Sequence, residues 1–275
     1  MDLVASLFPG AYRSRFHGRG IEFDETRDYH WGDDYRSLDW RVTARTGRLH
    51  TKRFHEEREH SLYLVLDAGP TMQFGSRVRY KWVQAARAAA LLAWLAANNG
   101  DRVGALLFGD GRRPHYCRPA GGEPGVMSLL RLLADLRPRP DGHAPGLADA
   151  LAQLRRLAGP GSLILLLSDF TGLDETARAH LAQLSRHGEV AAIRLYDPLE
   201  AELPPPGLYP ISDGHKQGLL DSADLALRQA YAREFTDRGE QLRSILTSYN
   251  APLLTLGNHQ PTASTLRTAL RPKGA

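Results

Sequence analysis

Ser61-Leu-Tyr-Leu-Val-Leu-Asp67 is a continuous apolar run that ends on a carboxylate, and Ser162-Leu-Ile-Leu-Leu-Leu-Ser-Asp169 repeats the design farther along the chain. Strands with no polar alternation belong in a parallel sheet buried on both faces. Between these runs, residues 78–99 read as one helix with an apolar stripe at Val83, Ala86, Ala90, Leu91, Trp94 and Leu95, stopped by Asn98-Asn99-Gly100. A strand at Val103–Phe108 follows, then the turn signal Gly109-Asp-Gly-Arg112, a short strand at Pro114–Cys117, and helices near 124–136 and 146–158. After the second apolar run come a helix near 174–187 and a strand near 189–196. A small hairpin around Ile211–Lys216, a helix near 222–247 and a last strand at Pro252–Leu256 complete the series. Strands alternating with helices predict an α/β fold, a mostly parallel Rossmann-type sheet with helices on both faces. Two regions are expected, a charged N-terminal segment over 1–60 packed on an α/β domain over 61–275.

At 275 residues the chain can bury a substantial core, and its 42% hydrophobic and 24% charged content is ordinary for a globular protein. One cysteine, Cys117, excludes an internal disulfide and fits a reducing compartment. No apolar run is long enough to span a bilayer and the N-terminus lacks a secretory signal pattern, so a cytoplasmic location is expected. The net charge of +4 is mild and spread along the chain, which argues against specific nucleic-acid binding.

The first sixty residues hold eleven Lys/Arg and eleven Asp/Glu among interleaved aromatics, so their charges balance. Gly18-x-Gly20-x-Glu22-Phe23, Arg27-x-Tyr29, Gly32-Asp33-Asp34-x-Arg36-x-x-Asp39-Trp40, Ala44-Arg45 and Lys52-x-Phe54 form a long motif of uncommon residues. This motif resembles the signature of the bacterial domain-of-unknown-function family number 58, whose members look like von Willebrand factor A-type proteins. The resemblance implies a von Willebrand A-like fold and a MoxR-type AAA+ ATPase as partner. It also implies a chaperone-like role toward an unidentified protein client, in client assembly or in metal or cofactor insertion. For the motif residues Glu22, Arg27, Tyr29, Gly32, Asp33, Asp34, Arg36, Asp39, Trp40 and Arg45, two readings stand. They form a docking face for a partner, or an internal ion-pair network with Trp31 and Trp40 anchoring the segment.

In an open parallel sheet, ligands gather at the carboxyl ends of the strands, where the winding direction reverses. A von Willebrand A-type strand order would set Asp67 and Asp169 side by side there, where domains resembling integrin inserts hold a divalent ion. Asp67, Thr71 and Asp169 are accordingly the candidate ligands for Mg²⁺ or another divalent cation. The match is degenerate: Gly69 and Pro145 stand where hydroxyl ligands are expected, and Mg²⁺ demands near-octahedral oxygen geometry. The plain alternative is two carboxylates that cap loops through backbone N–H groups.

Catalytic machinery is sparse. No Gly-x-x-x-x-Gly-Lys-Ser/Thr phosphate loop occurs. Asp67-x-Gly69-x-Thr71 resembles the phosphate grip of actin-like ATPases, but a long helix follows it rather than a β-hairpin. The leading expectation is a non-enzymatic interaction protein, and the alternative is a divalent-metal-dependent hydrolase using Asp67 and Asp169.

Overall fold

The computed structural model describes residues 22–30, 38–55, 60–111, 114–136, 145–212 and 216–269. By internal contacts the chain divides into Arg15–Glu59 and the rest. In the smaller unit, β1 (Glu22–Asp28) pairs antiparallel with β2 (His50–His55), with a register irregularity between Phe23 and Glu25. The seven-residue α1 (Trp40–Thr46) precedes β2. Asp39 starts this helix, its carboxylate accepting the N–H groups of Arg41 and Val42 at 3.0 and 3.1 Å. Gly47 stops it in the left-handed region at φ 72°, and Arg45 lies in the last turn, where a cation suits the helix dipole. The alternation over Leu49–His60 predicts one strand, and β2 lies within it; β1 and α1 are marked by no clear period in the sequence.

Two expectations for the motif change accordingly. Asp39 serves as a helix cap, because the N–H groups of a first helical turn need an acceptor more than a neighbouring cation does. Trp40 is 67% exposed, so among the described residues it is not a buried anchor. Among the described residues of this unit, His50 Nε2 lies 3.2 Å from Asp28 Oδ1. Gly18, Gly20, Trp31, Gly32, Asp33, Asp34 and Arg36 lie outside the described residues.

The larger unit is built on β3 (Ser61–Asp67), β4 (Arg102–Phe108), β5 (His115–Gly121), β6 (Leu163–Ser168), β7 (Glu189–Tyr196) and β10 (Leu253–Gly257). Their order is β10-β7-β6-β3-β4-β5, parallel throughout except for β5, which runs antiparallel to β4 at the edge. From β3 the chain winds outward through β4 and β5, then returns to the centre and winds the other way. The switch point therefore falls between the carboxyl ends of β3 and β6.

The apolar runs behave as the sequence predicts. Leu62, Leu64 and Leu66 enter one core with α2 (Lys81–Asn98), α3 (Gly122–Asp135) and α8 (Thr262–Ala269). Tyr63 and Val65 enter a second core with α4 (Leu147–Leu157), α5 (Glu175–His187) and α7 (Leu225–Ser248). The period of two along β3 thus feeds two apolar layers.

The face of α2 differs from the expected stripe. Its buried residues are Lys81, Gln84, Ala85, Ala88, Ala89, Leu92, Ala93 and Ala96, while Val83, Leu91 and Trp94 are exposed. Alanines let the helix lie close to the sheet, and bulky side chains at those positions would hold it away. Also unforeseen are the 3₁₀ turn Pro70–Gln73, the four-residue α6 (Pro198–Ala201) and α8.

The predicted small hairpin is present and longer, as β8 (Leu208–Ser212) and β9 (Gln217–Asp221). Its stem is tied by Arg228, whose guanidinium donates to the carbonyls of Leu203, Pro204 and Ser222 at 3.1, 2.5 and 3.2 Å. Leu208, Ile211 and Leu219 of this hairpin are exposed.

Gly125, in the first turn of α3, is pressed onto the neighbouring strand: a Cβ there would come within 2.0 Å of the Ala120 carbonyl oxygen. A helical glycine-to-alanine change ordinarily stabilises by about 1 kcal/mol. Gly125→Ala should instead destabilise by about 1–3 kcal/mol, because the helix must shift off the sheet. Urea unfolding of the variant against the parent checks the sign.

Candidate functional site

Asp67 closes β3 and is 8% exposed. Its Oδ1 accepts the N–H of Gly69 at 2.8 Å, and its Oδ2 accepts the Ser168 hydroxyl at 2.6 Å. Ser168 Oγ in turn accepts the Phe170 N–H at 2.9 Å, beside a Phe170 backbone in the left-handed region at φ 61°. Gly109 completes this corner at φ 91°, where a Cβ would stand 2.6 Å from the Gly69 nitrogen, so only glycine lets the two loops meet.

Asp169 follows β6. Its Oδ1 accepts the N–H and hydroxyl of Thr171 at 3.1 and 2.8 Å, and its Oδ2 accepts Lys81 Nζ at 2.9 Å. The Thr71 side chain lies near enough to Asp169 to help hold its carboxyl down. The three residues proposed from the sequence, Asp67, Thr71 and Asp169, therefore do converge at the switch point.

Lys81, Glu200 and Asp197 join this site without being singled out by the sequence pattern. Lys81 opens α2 with its side chain fully buried, and its ammonium donates to Glu200 Oε1 at 2.5 Å as well as to Asp169. Glu200 is fixed by a capping box, its Oε2 accepting the Asp197 N–H at 2.8 Å. Asp197 is itself fully buried and accepts from the Ser76 N–H, the Ser76 hydroxyl, the Leu199 N–H and Asn258 Nδ2. This carboxylate ties the loop before α2 to the ends of β7 and β10. Asp197-Pro-Leu-Glu200 carries a legible capping-box pattern after a strand, whereas nothing local marks Lys81 as buried.

The carboxylates titrate in opposite directions. Burial, and then the charge of Asp169, push Asp67 up to about 6 against the hydrogen bonds of Ser168 and Gly69. Burial also works against the charge of Asp169, but the Lys81 ammonium outweighs it and holds that carboxyl below the usual range. Lys81 follows the same logic: burial would lower it, and Asp169 and Glu200 reverse the direction.

The donor set does not suit a divalent ion. Both oxygens of Asp67 and both of Asp169 already accept hydrogen bonds from the protein, and an ammonium lies directly on Asp169. Among the described residues no three His, Cys, Asp or Glu side chains gather in a metal-holding cluster.

Asp169 and Glu200 also border a groove of about 550 Å³ between the ends of β6 and β7 and the flank of α7. Phe170, Tyr196, Tyr231 and Phe235 supply aromatic walls, with Arg194 and Arg238 among them. The Arg194 guanidinium stacks 4.4 Å from the Phe235 ring centroid, and Tyr196 meets the same ring at 5.3 Å between centroids. Asp67 does not line this groove, so of the two strand-end aspartates Asp169 is the one that reaches it.

Asp67 binds its proton more tightly in the folded chain than in the unfolded one, so its contribution to stability is greatest below pH 4. It declines as pH rises to about 6 and is flat beyond. Asp67→Asn removes that slope. The stability difference between variant and parent should grow by on the order of 2–3 kcal/mol from pH 4 to 7; a constant difference in urea melts would contradict the assignment.

The model of the family "Protein of unknown function DUF58" matches residues 25–241. The uncharacterized protein Rv1480 of Mycobacterium tuberculosis is 33% identical over 240 residues, covering 87% of this chain and 75% of that protein. Among solved structures, the conserved hypothetical protein BatB of Bacteroides thetaiotaomicron aligns with a TM-score of 0.49 at 14% identity, over 76% of this chain and 95% of its own. A von Willebrand factor type A structure from Catenulispora acidiphila aligns with a TM-score of 0.46 at 10% identity, over 80% of this chain and 42% of its own. With a family model that spans most of the chain and a relative at 33% identity that agrees, this chain belongs to the DUF58 family.

Proposed function

We propose that this chain is a cytoplasmic, non-enzymatic interaction protein that works with a MoxR-type AAA+ ATPase, receiving a protein client for assembly or for metal or cofactor insertion. The ATPase supplies nucleotide hydrolysis, and this chain supplies the grip. The observation that carries the reading is the strand-end groove, whose Phe170, Tyr196, Tyr231, Phe235, Arg194 and Arg238 are the residue types that dominate binding energy at protein interfaces. Its ionic floor supports the same reading: Lys81, Asp169 and Glu200 are spent on one another, which suits a fixed surface better than a proton-transfer centre. No helix among the described residues is long and apolar enough to cross a membrane. The partner assignment rests on the N-terminal motif.

Tagged chain cross-linked in its native cells should carry a MoxR-type ATPase together with a client. Phe235→Ala opens the aromatic wall and should weaken client capture at least tenfold, the effect of losing about 2 kcal/mol at a hot spot. Undiminished capture by a variant with the parent melting temperature would overturn the groove as the client site. Metal-dependent phosphoester hydrolysis abolished by Asp169→Asn would instead favour the hydrolase reading.

A further inference from the structure

Lys81 occupies a place that is physically costly. It is the first residue of α2, where the helix dipole is positive and disfavours a cation, and its side chain is wholly withdrawn from water. The two carboxylates it touches, Asp169 at 2.9 Å and Glu200 at 2.5 Å, offset that cost.

The position is also built rather than incidental. Ser76 is pinned to Asp197 on one side of the connecting loop. Arg79 donates to the carbonyls of Asn258 and Gln260 at 3.0 Å each, and Asn258 Nδ2 returns a bond to the Arg79 carbonyl at 2.8 Å. Choice of residue points the same way. The chain has 35 Lys and Arg residues, nearly all of them Arg, and Lys81 is one of only Lys52, Lys81, Lys216 and Lys273. A compact ammonium fits between the buried Asp169 and the half-buried Glu200 carboxylates where a planar guanidinium fork would not.

We infer that Lys81 is the resident cation of this cleft: its ammonium takes the charge-balancing role that a divalent ion has in domains of this architecture, and the site is complete without metal. The aspartate at the end of β6 keeps its place but has exchanged an ion for a side chain. Asp169 is then unavailable as a metal ligand, and a partner's carboxylate has no coordination sphere to complete. The inference concerns the isolated chain and stands apart from whether a client sits in the groove.

The test uses full-length protein stripped with EDTA and titrated with Mg²⁺ and Mn²⁺ at neutral pH, read by thermal shift and by calorimetry. The parent chain should keep its melting temperature to within about 1 °C and give no binding heat. Lys81→Met keeps the apolar stem but leaves Asp67, Asp169 and Glu200 without a counter-charge. It should acquire a Mn²⁺-dependent rise of about 5 °C or more, lost again when Asp169→Asn is added. A Mn²⁺ response in the parent that Asp169→Asn abolishes overturns the inference, and so does a folded Lys81→Met that stays silent to both ions. Should Lys81→Met fail to fold, the parent titration with and without Asp169→Asn decides alone.

Discussion

A buried ammonium held by two carboxylates is the constraint from which the rest of the strand-end region follows. Lys81 ends the loop that leaves β3, Asp169 ends β6, and Glu200 sits in the short helix after β7, so one cation joins three separate connections. Removing Lys81 would strand the buried Asp169 carboxylate, a loss that in proteins typically costs about 3–5 kcal/mol. Asp197 performs a parallel task with neutral donors, distributing one carboxylate over Ser76, Leu199 and Asn258.

That arrangement separates two aspartates whose settings look alike in the sequence. Asp67 and Asp169 both close apolar strands, yet only Asp169 receives the lysine. Asp67 is buried, has a like charge nearby, and has only a hydroxyl and an amide donor to oppose them, so its proton is retained to higher pH. The division of roles between them is decided by a residue on a different element, beyond what either strand's pattern can encode.

The fold was largely legible because it follows from local pattern. Unbroken apolar runs marked β3 and β6, and the breakers Asn99-Gly100 marked the end of α2. Where periodicity misled, packing distance was responsible: the bulky residues of α2 suggested one face, and the sheet accepted the alanine face. Of the site, Asp67, Thr71 and Asp169 were readable from their positions at strand ends. Lys81 was not, since a lysine opening a helix reads as solvated, and its burial depends on Asp169 and Glu200, 88 and 119 residues away in sequence. Within Arg15–Glu59 only β2 shows a period, because charges and aromatics obscure it in β1 and α1, although Asp39 and Gly47 carry ordinary start and stop chemistry for α1.

The Arg228 clamp on the β8–β9 ribbon has a mechanical corollary. A lone two-stranded ribbon is marginal in water, but here three carbonyls at its stem are fastened by a single guanidinium. Leu208, Ile211 and Leu219 are thereby presented on a stiff arm rather than on a slack loop. Contact made at those side chains would displace water from carbon with little motion left to freeze out.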